Sequence, residues 1–157
     1  MEIKVKVNGE EKTASVPPET TLLSVLREQW GMTGSKVGCD VGDCGACTIL
    51  YDGKPVNACL VLAGQANGHE VISIEGLGTP NNLDPIQKII ETHASLQCGF
   101  CGPGVIMSAK ALLNRNPNPT RLDVRDALAG NLCRCTGYVK MIDAVMELVE
   151  NNNSKAA

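Results

Sequence analysis

Eight cysteines divide into two quartets that leave none over. Cys39, Cys44, Cys47 and Cys59 are spaced C-x4-C-x2-C-x11-C, and Cys98, Cys101, Cys133 and Cys135 are spaced C-x2-C-x31-C-x1-C. Thiolates are the soft ligands of zinc and of iron–sulfur centres, and four of them complete either kind of site. Two complete sets in one short chain point to two metal centres. Two centres in series point to electron transfer.

The first spacing is the plant-type ferredoxin pattern for a [2Fe-2S] cluster, C-x4-C-x2-C with a distant fourth cysteine. Gly31, Gly34, Gly38, Gly42 and Gly45 recur through the stretch that carries it. A loop so rich in glycine can curl tightly and bring its amides close to a negatively charged cluster. Asp40 and Asp43 lie among these ligands. Their repulsion with such a centre requires them to face solvent, so the cluster is expected near the surface. Structural zinc sites favour two paired hooks, which the step from Cys39 to Cys44 and the lone fourth cysteine fit poorly.

The second spacing, taken alone, is compatible with either an iron–sulfur cluster or zinc, although C-x-C rarely serves as a zinc hook. Cys101 precedes a helix opened by Pro103, and Cys133 to Cys135 lie in the turn before the last helix. Two helix N-termini would then direct their positive dipole ends at one anionic centre. A site buried in a helical bundle is expected to be well shielded from water, with Phe100 as part of the shield.

The elements that must position these thiols change character midway. Ile3, Val5 and Val7 alternate up to an Asn8-Gly9 hairpin turn, with a second strand over about 13–16. Thr20 or Thr21 can cap a helix carrying Leu22, Leu23, Val25, Leu26 and Trp30, with Trp30 covering the core. After the glycine-rich loop, 48–51 and 55–62 read as a hairpin around Asp52-Gly53, with Cys59 on the return arm. A last strand covers 71–74. From there the apolar period moves from two to 3.6. Four helices are expected: one around Leu83, Ile86, Ile90 and His93, one opened by Pro103, one capped by Thr120 with Asp123 as partner, and one carrying Val139, Ile142, Val145, Met146 and Val149. The tail 151–157 is expected to fray. The fold class is α+β, divided into a domain over residues 1–76 and a helical domain over residues 77–157.

Composition narrows the function further. Aromatic residues make up 3% of the 157, so the cores must be built from aliphatic side chains, and bound metal is one way to stabilise small cores of that kind. A net charge of -3 and a pI near 5.4 argue against nucleic acid as a partner. No stretch reads as a membrane span, and the first residues show neither an apolar leader core nor a twin-arginine signal. A cytoplasmic location is therefore expected, where cysteines are kept reduced and metal ligation is the default reading. No dinucleotide fingerprint, phosphate loop or nucleophile elbow is present. His69 and His93 read as structural or solvated, and Arg134 either offsets cluster charge or reaches solvent.

Three stretches carry a specific resemblance: GCDVGDCGAC (38–47), QCGFCGPG (97–104) and GNLCRCTGY (130–138). They are similar to the signatures of the iron–sulfur subunit of the molybdenum hydroxylases, the xanthine oxidase and xanthine dehydrogenase family. The similarity covers essentially the whole chain and fills all eight ligand positions. One departure is Gly102, where the family usually has threonine. The resemblance implies an N-terminal ferredoxin-like β-grasp domain followed by a C-terminal four-helix bundle. It implies that Cys39, Cys44, Cys47 and Cys59 hold an outer [2Fe-2S] cluster nearer a flavin. Cys98, Cys101, Cys133 and Cys135 would hold an inner [2Fe-2S] cluster nearer the molybdenum cofactor. Gln97 and Cys135 would contact molybdopterin. The partners implied are a molybdopterin-binding large subunit and an FAD-binding medium subunit, so that this chain relays electrons within a hetero-oligomer and has no catalytic residues of its own. The rival readings are a diffusible [2Fe-2S] ferredoxin and a zinc-stabilised interaction module.

Overall fold

A computed structural model describes residues 1–156, with side chains through Ser154. The order is β1 (Glu2–Val7), β2 (Glu10–Ser15), α1 (Leu22–Ser24), β3 (Thr48–Tyr51), β4 (Lys54–Asn57), β5 (Glu70–Ile72), α2 (Pro85–Thr92), α3 (Gly102–Arg115), α4 (Arg121–Leu128) and α5 (Val139–Ala156). The fold is α+β. One mixed sheet has the strand order β2-β1-β5-β3-β4, with β1 and β5 parallel and the other neighbours antiparallel. Asn8 and Gly9 both have positive φ, as a two-residue hairpin turn between right-twisted strands demands.

Strand alternation decides what lies on each face of the sheet. Ile3, Val5 and Val7 of β1 and Ile49 of β3 point to one side, where they bury against Leu22, Leu23, Val25 and Leu26. Leu50 of β3 points to the other side and meets Met107 and Ala111 of α3, joined by Ile72, Ile74 and Leu77. A third cluster fills the space among the helices, centred on Ile86, Ile90, Val105, Leu128, Met141 and Val145. α2 packs on α3 and α5, and α4 packs on the same two helices. Asp84 caps α2 with Gln87 returning the bond, and Thr120 and Asp123 form the expected capping box on α4.

Several elements differ from the sequence reading. The helix expected to run to Trp30 is one α-turn, capped by Thr21, that widens into a π-turn over Val25–Gln29. Trp30 N closes that turn on Val25 O at 3.1 Å while its indole N–H donates to Thr13 O, so Trp30 lies half-buried against the core. Cys59 is not on a strand. β4 ends at Asn57, opposite Thr48 where β3 begins, and a short 3-10 turn over Ala58–Leu60 carries Cys59 back toward Cys47. The last strand begins one residue earlier than expected and yields to another 3-10 turn over Ile74–Gly76. The tail is helical to Ala156: no glycine or proline interrupts α5, and Ser154 Oγ bonds back to Glu150 O at 3.0 Å. Ala157 lies outside the described residues. No helix among them is long and apolar enough to cross a membrane.

Met107 is fully buried between Leu50 of the sheet and the helical half. Met107→Ala is expected to destabilise the chain by about 2–5 kcal/mol, read as a lower denaturation midpoint at unchanged slope. A change below about 0.5 kcal/mol would mean that α3 does not brace the sheet.

Candidate metal centres

The first quartet is set by a loop that has no regular structure of its own. Lys36 N bonds to Ala46 O at 3.1 Å and closes its base, while Arg27 Nη1 holds Thr33 O and Ser35 O at 3.0 and 2.7 Å. Inside that ring the chain folds back over Cys39. Val41 N, Asp43 N and Cys44 N donate to Cys39 Sγ at 3.5, 3.2 and 3.3 Å. These donors, led by Val41, favour the thiolate and lower the Cys39 pKa to about 7. Cys59 behaves oppositely: burial and the neighbouring Cys47 push it up to about 11. Cys39 and Cys44 are half-buried, whereas Cys47 and Cys59 are buried. Asp40 and Asp43 face solvent, as charge repulsion requires.

The second quartet comes from two loops at the ends of the helices. Cys98 lies between α2 and α3, and Cys101 is the N-cap residue of α3. Cys133 and Cys135 lie between α4 and α5. Tyr138 orders that loop: its hydroxyl accepts from Cys133 N at 2.7 Å and donates to Asn131 O at 3.0 Å. Burial and Cys133 push the Cys101 thiol up to about 12. Burial acts the same way on Cys133, but the Thr136 hydroxyl at 3.1 Å and backbone N–H groups outweigh it and lower its pKa.

Shielding of this second set does not follow the sequence reading. Cys98 and Cys135 are exposed, and so are Phe100, at 48%, and Leu132, at 59%. The reason is topological, because the cysteines occupy loops beyond the helix ends, where Cys101 is buried in the core and Cys133 packs partly buried against it. Gln97 is exposed too, and its Nε2 donates to Cys135 O at 3.1 Å. The structure thus brings Gln97 and Cys135 together on the open side of the second set. Gly102 is buried where a Cβ would fall 2.6 Å from Leu96 Cδ1, so Leu96 occupies the room that a threonine would take. His69 and His93 pair with Asp52 and Glu147 at 2.6 Å.

Each quartet is assembled two by two. Cys39 neighbours Cys44 and Cys47 neighbours Cys59. Cys135 Sγ lies 3.6 Å from Cys98 Sγ, and Cys101 neighbours Cys133. A cluster of two irons needs one thiolate pair at each iron, while a single tetrahedral ion needs all its ligands to converge. Paired thiols of this kind fit a two-iron cluster, which takes one thiolate pair at each iron.

Comparison with known proteins gives the same picture. Residues 5–69 match the family described as a 2Fe-2S iron-sulfur cluster binding domain, and residues 73–146 match a [2Fe-2S] binding domain. The chain is 44% identical over 148 residues to the nicotinate dehydrogenase small FeS subunit of Eubacterium barkeri, covering 94% of each. The chain belongs to the iron–sulfur subunits of the molybdenum hydroxylases. It superposes on quinoline 2-oxidoreductase from Pseudomonas putida 86 with a TM-score of 0.92 and 42% identity, covering 100% of this chain and 98% of that one. It is also 49% identical over 154 residues to the aldehyde oxidoreductase of Megalodesulfovibrio gigas, of which it spans 17%. Relatives matched over nearly their whole length carry the names of enzyme subunits, which sets this family chain apart from a free-standing ferredoxin.

Sequence reasoning missed Asn131, Thr136 and Tyr138 as members of the site. The stretch GNLCRCTGY displays all three, but only the fold shows which of their polar atoms turn inward. In the cluster-free chain at neutral pH, a small alkylating agent is expected to label Cys39 well before Cys59 and Cys101, since the first has its pKa lowered to about 7 and the other two have theirs pushed up to about 11 and about 12. Labelling of Cys39 should fall as pH drops through about 7, where its thiolate is protonated. Mass mapping of the labelled peptides checks the order, and equal rates at all three would contradict it.

Proposed function

We propose that this chain is the electron-transfer subunit of a molybdenum hydroxylase complex. In this reading Cys39, Cys44, Cys47 and Cys59 hold one [2Fe-2S] cluster, and Cys98, Cys101, Cys133 and Cys135 hold the other. Each bound cluster carries one electron at a time, so two in line can relay singly the electron pair that hydroxylation releases. The observation that carries the reading is the pairing of thiols two by two in two sets, one of them opening to the surface beside Gln97.

The chain's own residues supply the environment. The N–H groups of Val41, Asp43 and Cys44 stabilise negative charge on the Cys39 sulfur. Burial of Cys47, Cys59 and Cys101 keeps water from one side of each set. Gln97 and Cys135 stand where a molybdopterin-binding large subunit would dock, with Phe100 and Leu132 as apolar surface for that contact. Val37, Val41 and Leu60 offer a second exposed apolar surface beside the first set, suited to an FAD-binding medium subunit. The organisation is a ferredoxin-like β-grasp domain over 1–76 and a four-helix bundle over 77–157. Eight unbridged thiols suit a cytoplasmic complex.

Metal and labile-sulfide analysis of the purified native complex is the test. The expected result is about two irons and two sulfides per quartet, with no zinc. Gln97→Ala should retain both clusters yet slow reduction of the second by substrate. Zinc in place of iron would overturn the reading.

A further inference from the structure

The two cysteine loops meet in a buried contact that ligation alone does not explain. Asn131 is 2% exposed, and its Nδ2 donates to Gly45 O at 3.0 Å and Thr48 Oγ1 at 3.2 Å. The next residue, Leu132, donates its N–H to Cys44 O at 2.9 Å. The residue after that is Cys133. One hydrogen bond therefore joins the backbone of a thiol residue in the first set to the residue beside a thiol of the second.

Two close backbone approaches leave no room for a side chain. A Cβ at Gly104 would collide with the Gly45 carbonyl oxygen, and a Cβ at Gly45 would collide with the Gly130 carbonyl oxygen. The same Gly45 oxygen also accepts from Thr48 N and Oγ1, at 3.1 and 2.7 Å. On the far side, Tyr138 Oη grips both Asn131 O and Cys133 N. Asn131 thus sits at the centre of a bracket: its side chain holds the first loop, and its carbonyl is held by the residue that orders the second. Gly45 O and Thr48 Oγ1 keep each other as partners without Asn131, so its removal deletes the buried side-chain tie between the two loops without deleting a thiol.

We propose that Asn131 is a positioning residue that fixes the two thiol sets relative to each other, and with them the electronic coupling between the two centres. The inference rests on the electron-relay reading above and deepens it. The wedge of Leu50 and Met107 joins the sheet to α3, and the Leu132 N–Cys44 O bond is a single backbone contact, so the Asn131 carboxamide is the side-chain tie between the two loops. Tyr138 supports Asn131 from the other loop.

The test uses the native complex carrying Asn131→Ala, with Tyr138→Phe as a second variant that keeps its aromatic ring. Iron content and the EPR signals of the two reduced centres are measured first, then the magnetic splitting between them and the rate of electron equilibration after photoreduction. The expected result is full iron, both signals, a diminished splitting and equilibration slowed several-fold in Asn131→Ala, with a smaller change in Tyr138→Phe. Normal splitting and rate at full iron would overturn the proposal while leaving the relay reading intact. Should Asn131→Ala fail to load iron, Tyr138→Phe decides alone by the same splitting. Loss of iron from both variants would assign the bracket to folding and overturn the proposal. Failure of the unsubstituted complex to show two signals would instead overturn the relay reading itself.

Discussion

The hydrogen bond from Leu132 N to Cys44 O, with the Asn131 carboxamide beside it, joins two loops that belong to different halves of the chain. Each loop lacks regular structure, so neither can hold its thiols in place unaided. The sheet anchors one loop through Thr48, and the Tyr138 hydroxyl, just before α5, holds the other through Asn131 O and Cys133 N. Close approach is possible because Gly45 and Gly104 bear no Cβ, which at either position would collide with a carbonyl oxygen across the contact. The wedge of Leu50, Met107 and Ala111 then keeps the sheet and α3 at the distance this contact needs. Fold and site are thus coupled: changes that move α3 off the sheet also separate the thiol sets.

Within each set the thiols are unequal before any metal arrives. Backbone donors ease ionisation of Cys39, while burial opposes it at Cys59. In the second set the Thr136 hydroxyl and nearby amides ease ionisation of Cys133, while burial opposes it at Cys101. A buried thiol held protonated at neutral pH releases its proton when a metal binds its sulfur, so cluster assembly and completion of the core are linked events. The exposed members, Cys98 and Cys135, lie on the opposite side and give the second set its open face. That asymmetry suits a relay, which needs protection from water inside and access to a neighbour outside.

Much of this was legible in the sequence, because the signals were local. Alternation marked β1, the Asn8-Gly9 pair marked its turn, and the Thr120–Asp123 box marked α4. The quartets declared themselves by count and spacing. What escaped was set by long-range geometry. The π-turn after α1 arises where the chain packs its apolar residues under the sheet, and the turn at Cys59 arises where β3 runs out of partner. The exposure of Cys98, Cys135 and Phe100 depends on which end of the helices the loops occupy, which periodicity does not encode. Asn131 looked like any polar residue near a turn, and its burial against Gly45 appears only when residues more than eighty apart in sequence are brought together.

The central claim is that the two thiol sets hold two distinct one-electron centres in one continuous structure. An anaerobic redox titration of the native complex, followed by EPR, tests it most directly. The account predicts two separate one-electron waves, each with its own signal, because one set lies under a ring of backbone amides and the other opens at the helix ends. A single wave with a single signal would contradict it.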